Sequence, residues 1–109
     1  MINFWIDMFG AALKERRKFG QADGAVMDLA GFTINLRALR PGETPQEASS
    51  GSRLGYDHIA LSVSDMETFH RRLTENGYPC TVPPAGDDKR IFAFFKGAEG
   101  IVIELIQDF

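Results

Sequence analysis

The sequence predicts an α+β fold built from two copies of one folding unit, βαβββ, in which the first copy lacks its opening strand. Apolar residues recur at helical spacing and then at strand alternation in each half of the chain. The glycines that end the two predicted helices, Gly10 and Gly77, lie 25 residues before Asn35 and 27 residues before Glu104. These similar offsets indicate an internal repeat. His58 lies 19 residues before Gly77, whereas the same offset from Gly10 leads off the chain.

The first copy is predicted to begin with a short helix over residues 2–12. Phe4, Trp5 and Met8 recur there at helical spacing, and Gly10 favours an early end. The three strands predicted after this helix, with turns at residues 21–24 and 31 between them, cover residues 13–19, 25–30 and 32–39. Apolar and polar side chains alternate in the last of these strands, which is typical of a strand with one apolar face.

The second copy is predicted to follow residues 41–55, whose Gly, Pro and Ser content is typical of a linker. A strand is predicted at residues 56–63, and then a helix that Ser64 and Glu67 cap as a capping box. Gly77 supplies the left-handed end of that helix. Three short strands are predicted around residues 80–82, 91–96 and 101–107. We therefore expect one domain over residues 1–109, with a first module at 1–40, a linker at 41–55 and a second module at 56–109.

Size, charge and cysteine content narrow the functions that this chain can have. Its 109 residues fit one domain, and its 44% apolar residues, with nine Phe, are enough for a core. The net charge of −3 argues against nucleic acid or an anionic membrane as the main partner. Cys80 is the only cysteine, and no stretch has the length of a membrane span. The expected location is the cytoplasm.

Two residues stand out as candidates for chemistry. Glu104 interrupts the apolar run at residues 101–106, and an unpartnered carboxylate buried there would cost roughly 1–3 kcal/mol or more. We therefore expect Glu104 to face solvent, to pair with a cation or to bind a metal. His58 shares one strand face with Ala60 and Ser62, and this face of small and polar side chains can line a cavity. A structural role for His58 is the alternative.

Two segments of the second half resemble a known family. Tyr-Asp-His-Ile-Ala-Leu-Ser-Val-Ser-Asp and Gly-Ala-Glu-Gly-Ile-Val-Ile-Glu-Leu-Ile-Gln, separated by a helix ending in Asn-Gly, resemble the second module of the vicinal oxygen chelate superfamily. Phe-Trp-Ile-Asp-Met-Phe-Gly and Phe-Thr-Ile-Asn-Leu resemble its first module from the helix onward. This superfamily includes glyoxalase I, methylmalonyl-CoA epimerase, extradiol dioxygenases, and bleomycin and fosfomycin resistance proteins. The resemblance implies curved mixed sheets around a cavity.

The resemblance also implies a metal site. In metal-dependent members, each module contributes one ligand from its first strand and one from its last strand. His58 and Glu104 match these positions in the second module, Glu104 being also the predicted catalytic residue, and Asn35 matches the third position. A His–Glu pair suits one divalent ion such as Zn, Ni, Mn or Fe. The fourth position would lie on the strand that the first copy lacks.

Three functions stay open at this point. The first is a metal-free module that binds a small molecule in the cavity, the metal site being degenerate. The second is a metal-dependent lyase, isomerase or dioxygenase that uses His58 and Glu104, with Asn35 or water completing the ligand set. The third is a scaffold whose cavity has no activity. The residues predicted to line the ligand pocket, with core packing as the alternative for the aromatic ones, are Tyr56, Ser62, Phe92, Phe94, Arg37 and Trp5.

The missing strand has a consequence for assembly. It leaves one sheet edge uncovered in the first copy, and an uncovered edge pairs with another strand or promotes aggregation. We therefore expect a homodimer, in which the two chains exchange modules or associate without exchange.

Overall fold

The structure, a computed structural model, describes residues 1–48 and 51–109, and the chain divides into two compact units, Met1–Glu47 and Ala48–Phe109. Helices and strands follow one another along both units, and the strands form two separate sheets. The predicted α+β fold class is therefore confirmed. The module boundaries at 1–40 and 56–109 stay predictions, and residues 49 and 50 of the predicted linker lie outside the described residues.

The first unit consists of one helix and a three-stranded antiparallel sheet. Helix α1 covers Ile2–Phe9 and ends at Gly10, whose φ of 71° is the left-handed conformation that glycine adopts without strain. The strands, in the spatial order β1-β2-β3, are β1 at Ala12–Phe19, β2 at Ala22–Leu29 and β3 at Phe32–Arg37. The helix is thus three residues shorter than predicted, because Gly10 caps it.

The core of the first unit lies between α1 and its sheet. Trp5 is 1% exposed and packs against the rings of Phe4 and Phe9 at centroid distances of 5.3 and 5.7 Å. Ala25 and Met27 of β2 are also buried. Helix α1 therefore buries its apolar stripe within its own unit, as amphipathic helices do.

The turn predicted at residues 21–24 is wrong in position. Strand β2 already begins at Ala22, which pairs with Phe19, so the loop consists of residues 20 and 21 alone. Asp23, next in β2, pairs with Lys18, and their side chains form an ion pair of 2.6 Å. This cross-strand pair extends the hairpin into residues whose composition alone indicates a turn.

The second unit consists of one α-helix and a four-stranded mixed sheet with the order β4-β7-β6-β5. Its elements are β4 at Ile59–Ser62, α2 at Met66–Glu75, β5 at Cys80–Gly86, β6 at Arg90–Lys96, a 3₁₀ turn at Ala98–Gly100 and β7 at Val102–Asp108. Strands β4 and β7 run parallel, and the other neighbours are antiparallel.

The sheet of the second unit has one buried face. Ala93, Phe95, Ile103 and Leu105 on β6 and β7 have no exposed surface, and neither has Leu73 of helix α2. Helix α2 contacts this face, where His70 meets the ring of Phe95 edge-on at 5.4 Å. His70 is therefore half-buried.

The opposite face of this sheet is called the open face here. Cross-strand partners share a face, so the pairs Ala60–Glu104, Phe94–Glu104 and Lys96–Val102 define it. Its aromatic and aliphatic side chains are half-buried, whereas Ala60, Ser62 and Lys96 are exposed. The open face consists of Ala60, Ser62, Phe92, Phe94, Lys96, Val102, Glu104 and Ile106.

Two local predictions for the second unit are wrong. The N-cap of α2 is Asp65 and not Ser64, and the Asp65 carboxylate accepts a hydrogen bond of 2.6 Å from the Thr68 hydroxyl. Strand β4 begins at Ile59 and not at residue 56, because its pairing with β7 starts at Ile103. His58 therefore precedes the strand by one residue. The left-handed Gly77 after α2, with φ of 87°, is as predicted.

Within residues 1–48 and 51–109, neither the length nor the apolar content of any helix is sufficient for a membrane span.

Candidate functional site

The two residues that stand out in the sequence meet at one end of the open face. His58 Nε2 lies 3.1 Å from the Glu104 Oε2 atom, although the two residues are 46 positions apart. The parallel pairing of β4 with β7 places Ala60 directly opposite Glu104, and His58 lies two residues before Ala60. Because alanine has only a methyl side chain, the imidazole reaches the carboxylate without obstruction. The side chains of His58 and Glu104 are 31% and 18% exposed.

A third residue, Asp57, binds the other side of the imidazole. Its Oδ2 atom lies 2.8 Å from His58 Nδ1, and its Oδ1 atom accepts the backbone N–H of Arg53 at 3.1 Å. An ionised carboxylate only accepts hydrogen bonds, so His58 Nδ1 carries a proton. This arrangement is the carboxylate–histidine pair that fixes the tautomer and orientation of metal-binding histidines.

The proton on Nδ1 determines what lies between His58 and Glu104. In a neutral imidazole protonated at Nδ1, the Nε2 atom carries a lone pair. That lone pair then faces an ionised carboxylate oxygen at 3.1 Å, and two acceptors in this position repel one another. The geometry therefore requires a positive charge there, either a proton on Nε2 or a bound cation.

The donor set fits a divalent cation. Two ligands of one ion at about 2.1 Å each, with a right angle between them, lie about 3 Å apart. The 3.1 Å between His58 Nε2 and Glu104 Oε2 matches that separation. In the part of the chain that the structure describes, no three His, Cys, Asp or Glu side chains gather closely enough to hold a metal ion. His58 and Glu104 thus form a two-ligand site that needs additional oxygen or nitrogen donors.

Aromatic and aliphatic side chains border this pair. The ring of Phe94 meets the imidazole of His58 edge-on at a centroid distance of 5.2 Å. The centroid of the Phe92 ring lies 6.2 Å from that of Phe94. Two cavities of the second unit adjoin the site, a larger one of about 520 Å³ and a smaller one of about 250 Å³, and both have Asp57 and Val102 in their walls. The volume of the larger cavity falls in the range of small-molecule sites.

The acidic neighbours change the titration of His58. The hydrogen bond that His58 donates to Asp57 raises the pKa of His58 above its usual 6.5, burial opposes the rise, and Glu104 adds to it. The same hydrogen bond lowers the pKa of Asp57. Protonated His58 is therefore favoured in the folded state. This contribution to stability is present below the usual histidine pKa and is lost as the pH rises through the raised pKa.

We predict that Asp57→Asn lowers the pKa of His58 in the metal-free protein. The amide still accepts a hydrogen bond from Nδ1 but carries no negative charge, so it stabilises the imidazolium less. An NMR titration of the imidazole signals measures this pKa directly. The control is Asp88→Asn, which removes a carboxylate from the exposed turn between β5 and β6. An equal pKa of His58 in the Asp57→Asn variant and in the wild type would contradict the assigned hydrogen bond.

The other predicted pocket residues of the second unit lie on or near the open face. Tyr56 is 97% exposed and contributes to the wall of the smaller cavity together with His58. Phe94 contributes to the larger cavity, and Phe92 and Ser62 lie along the same face. Their role in ligand binding stays a prediction.

Three predicted site residues belong to the first unit. Asn35 is exposed in β3, where it pairs with Val26. Arg37 binds the Glu43 carboxylate at 2.6 Å, and its hydrogen bond lowers the pKa of Glu43. Trp5 is buried in the core of that unit, and its indole Nε1 makes no hydrogen bond to the described residues. The roles assigned to these residues stay predictions.

Two residues of the site were not predicted from the sequence. Asp57 directly precedes His58, and this adjacency was the available signal for a carboxylate partner. Lys96 lines the larger cavity, but in the sequence it is an ordinary charged residue at the end of a strand. Its position becomes apparent only from the register of β6 with β7, which places it opposite Val102.

Comparison with known proteins gives a consistent family match. The sequence profile of the Glyoxalase/Bleomycin resistance protein/Dioxygenase superfamily matches residues 1–105. No curated protein matches the chain.

Solved structures share the fold. The glyoxalase family protein from Bacillus cereus superposes with a TM-score of 0.85 at 22% identity, covering 98% of this chain and 83% of that one. A glyoxylase/bleomycin resistance protein/dioxygenase domain from Frankia sp. EAN1pec superposes with a TM-score of 0.81 at 21% identity, covering 99% of this chain and 81% of that one. A mutant of the fosfomycin resistance protein FosX from Listeria monocytogenes, complexed with Mn(II) and 1S,2S-dihydroxypropylphosphonic acid, gives 0.74 at 16% identity, covering 99% and 81%.

Proposed function

Because this chain belongs to the glyoxalase/bleomycin resistance protein/dioxygenase superfamily, we propose that it binds a small oxygen-containing molecule on the open face with the help of a divalent metal ion at His58 and Glu104. The observation that carries the proposal is the 3.1 Å separation of His58 Nε2 from Glu104 Oε2, with Asp57 bound to the other ring nitrogen. A cation between them removes their repulsion and uses both donors.

The residues have distinct parts in this proposal. His58 and Glu104 hold the ion, and Asp57 keeps the imidazole in the tautomer whose Nε2 lone pair is available. Asn35 is the proposed third ligand, and the remaining positions are open to water or to oxygens of the bound molecule. A carboxylate, an imidazole and neutral oxygens suit Mn, Fe, Zn or Ni.

The chemistry available at such a site is Lewis-acid stabilisation of an oxyanion that develops on the bound molecule. The protein's own contribution is to position that molecule. Phe94 and Val102 offer apolar contacts beside Glu104, and the half-buried open face excludes part of the surrounding water. A lyase, isomerase or dioxygenase reaction is compatible with this arrangement, and Glu104 is the proposed catalytic residue.

The similarity to FosX supports the choice of the first ion to test. The FosX mutant was crystallised with Mn(II) and a phosphonic acid, and the described part of the present chain shares its fold. We therefore place Mn(II) first among the ions, followed by Fe, Zn and Ni.

A second candidate is a metal-free binding module. The observation that favours it is the small donor set, since no three His, Cys, Asp or Glu side chains of residues 1–48 and 51–109 gather closely enough to hold a metal ion. In this case, a proton on Nε2 takes the place of the cation, as the raised pKa of His58 allows. The small molecule then binds on the open face without metal.

Isothermal titration of the metal-free protein with Mn(II), Zn(II), Ni(II) and Fe(II) separates the two candidates. The proposal predicts one bound ion per chain for at least one of these metals at pH 8, where a proton competes less for His58 Nε2 than at lower pH. Absence of binding for all four metals would contradict it and would leave the metal-free module. Titration with chelator present is the control for ions carried over from purification.

We also propose that two copies of the chain associate. In the first unit the order β1-β2-β3 makes β3 an edge strand, and Phe32 at its start is 67% exposed. Unpaired edges with exposed apolar residues favour association with another strand. Light scattering after size exclusion is expected to give the mass of a dimer at micromolar concentrations. A monomer at all concentrations tested would contradict this.

A further inference from the structure

The wall of the larger cavity carries two residues of opposite charge, Asp57 and Lys96. The same wall includes the apolar residues Val82, Phe94 and Val102, which are called its floor. An occupant of this cavity therefore has apolar side chains and both a negative and a positive group within its surroundings.

Lys96 is exposed and forms no ion pair with residues 1–48 or 51–109. Lys18, Arg37 and Arg90, in contrast, are paired with carboxylates. The backbone of Lys96 is fixed, because its N–H donates a hydrogen bond of 3.0 Å to the Pro79 carbonyl. An unpaired ammonium group beside an apolar floor attracts an anionic group of a ligand.

The carboxylate of Asp57 in the cavity wall repels such a group. The Asp57 carboxylate is held in place by His58 and by the backbone N–H of Arg53, so it keeps its negative charge there. Hydrogen bonding also lowers its pKa. An anionic ligand is thus oriented with its charged group at Lys96 and away from Asp57.

The register of the sheet gives the distance between Lys96 and the metal-binding pair. Lys96 lies opposite Val102, and Glu104 is two residues further along β7. Diagonal neighbours of this kind have Cα atoms about 7–8 Å apart. A molecule of small-metabolite size therefore spans from the Lys96 ammonium to the His58–Glu104 pair.

We propose that this cavity binds an amphipathic organic anion, with its carboxylate, sulfonate or phosphonate group at Lys96 and an apolar or aromatic body on Val82, Phe94 and Val102. The placement of its other end at His58 and Glu104 rests on the proposed function. The anionic end does not depend on it, because Lys96 and the floor are present without any metal.

A pair of fluorescent probes tests the anionic end in the metal-free protein. The probes are 8-anilinonaphthalene-1-sulfonate, an aromatic anion, and N-phenyl-1-naphthylamine, its neutral counterpart. Lys96→Met keeps the length of the side chain and removes its charge. It is expected to weaken binding of the sulfonate about 5-fold to 10-fold, as loss of one charge-assisted contact does, and to leave binding of the neutral probe within about 2-fold.

Two further variants locate the effect. Lys89→Met removes an equally exposed lysine from the turn before β6, outside the cavity wall, and is expected to change neither affinity. Val82→Glu places a second carboxylate on the floor at a residue that is 40% exposed. This variant is expected to weaken binding of the sulfonate more than binding of the neutral probe. Equal effects of Lys96→Met and Lys89→Met, or no binding of the sulfonate by the wild type, would overturn the proposal.

The same titrations keep this inference separate from the proposed function. Sulfonate binding that depends on Lys96 in a protein that binds no metal would refute only the metal site. Metal binding together with no effect of Lys96→Met would refute only the anionic end.

Discussion

Replacing His58 or Glu104 with alanine is expected to lower the affinity of the protein for Mn(II) by at least about 100-fold, because substitution of second-shell residues alone typically costs 10–100-fold. Each variant removes one of the two strong donors that lie 3.1 Å apart. With either donor absent, the described residues offer one good ligand and weak neutral oxygens. Isothermal titration at pH 8 measures the affinities directly.

Matched controls exist for both substitutions. His70→Gln removes the only other histidine, which packs on Phe95 at the buried face of the sheet. Glu75→Gln removes an exposed carboxylate from the last residue of α2. Both are expected to bind Mn(II) as the wild type does. If His58→Ala retained wild-type affinity while His70→Gln lost it, the assignment of the site would be wrong.

Phe95→Ala is expected to lower the free energy of unfolding by about 3–5 kcal/mol, the usual cost of removing a buried ring. Phe95 has no exposed surface and lies between its cross-strand neighbour Ile103 and the helix residue His70. The ring cannot be replaced by solvent, so its removal leaves a cavity. Small domains have a total stability of about 5–15 kcal/mol, so this loss is a large part of it.

Phe92→Ala is the matched control for this prediction. Phe92 lies on the open face of the same strand and is half-buried. Its replacement therefore removes less buried apolar surface than that of Phe95. Urea unfolding followed by circular dichroism is expected to show a smaller loss for Phe92→Ala than for Phe95→Ala. The reverse order would mean that the two faces of the sheet are assigned the wrong way round.

The fold class was predictable because the local signals agree with one another. Alternation of apolar and polar residues marks β3, and the periodic apolar residues of α2 end at Gly77 as expected. The exact ends were less predictable. Ala22 and Asp23 have turn-like composition, but cross-strand pairing with Phe19 and Lys18 draws them into β2. Tertiary pairing thus overrides the local preference.

The candidate site was predictable in part. Glu104 stands out as a carboxylate in an apolar strand, and His58 as a histidine beside small residues, and the structure brings them to 3.1 Å. The part of Asp57 depends on a side-chain hydrogen bond, and that of Lys96 on the register of two strands. The adjacency of Asp57 to His58 was the one signal in the sequence, and the register that positions Lys96 leaves none. Trp5 is a large aromatic residue of the type that lines ligand pockets, but it is buried in the core of the first unit.

The metal-binding pair is tested most directly by a crystal structure of the protein with Mn(II), in which anomalous scattering locates the ion. One anomalous peak is expected within about 2.4 Å of both His58 Nε2 and a Glu104 carboxylate oxygen, the range of Mn–ligand bonds. Asp57 is expected to keep its contact with His58 Nδ1. Absence of a peak between His58 and Glu104 at saturating Mn(II) would contradict the proposed metal site.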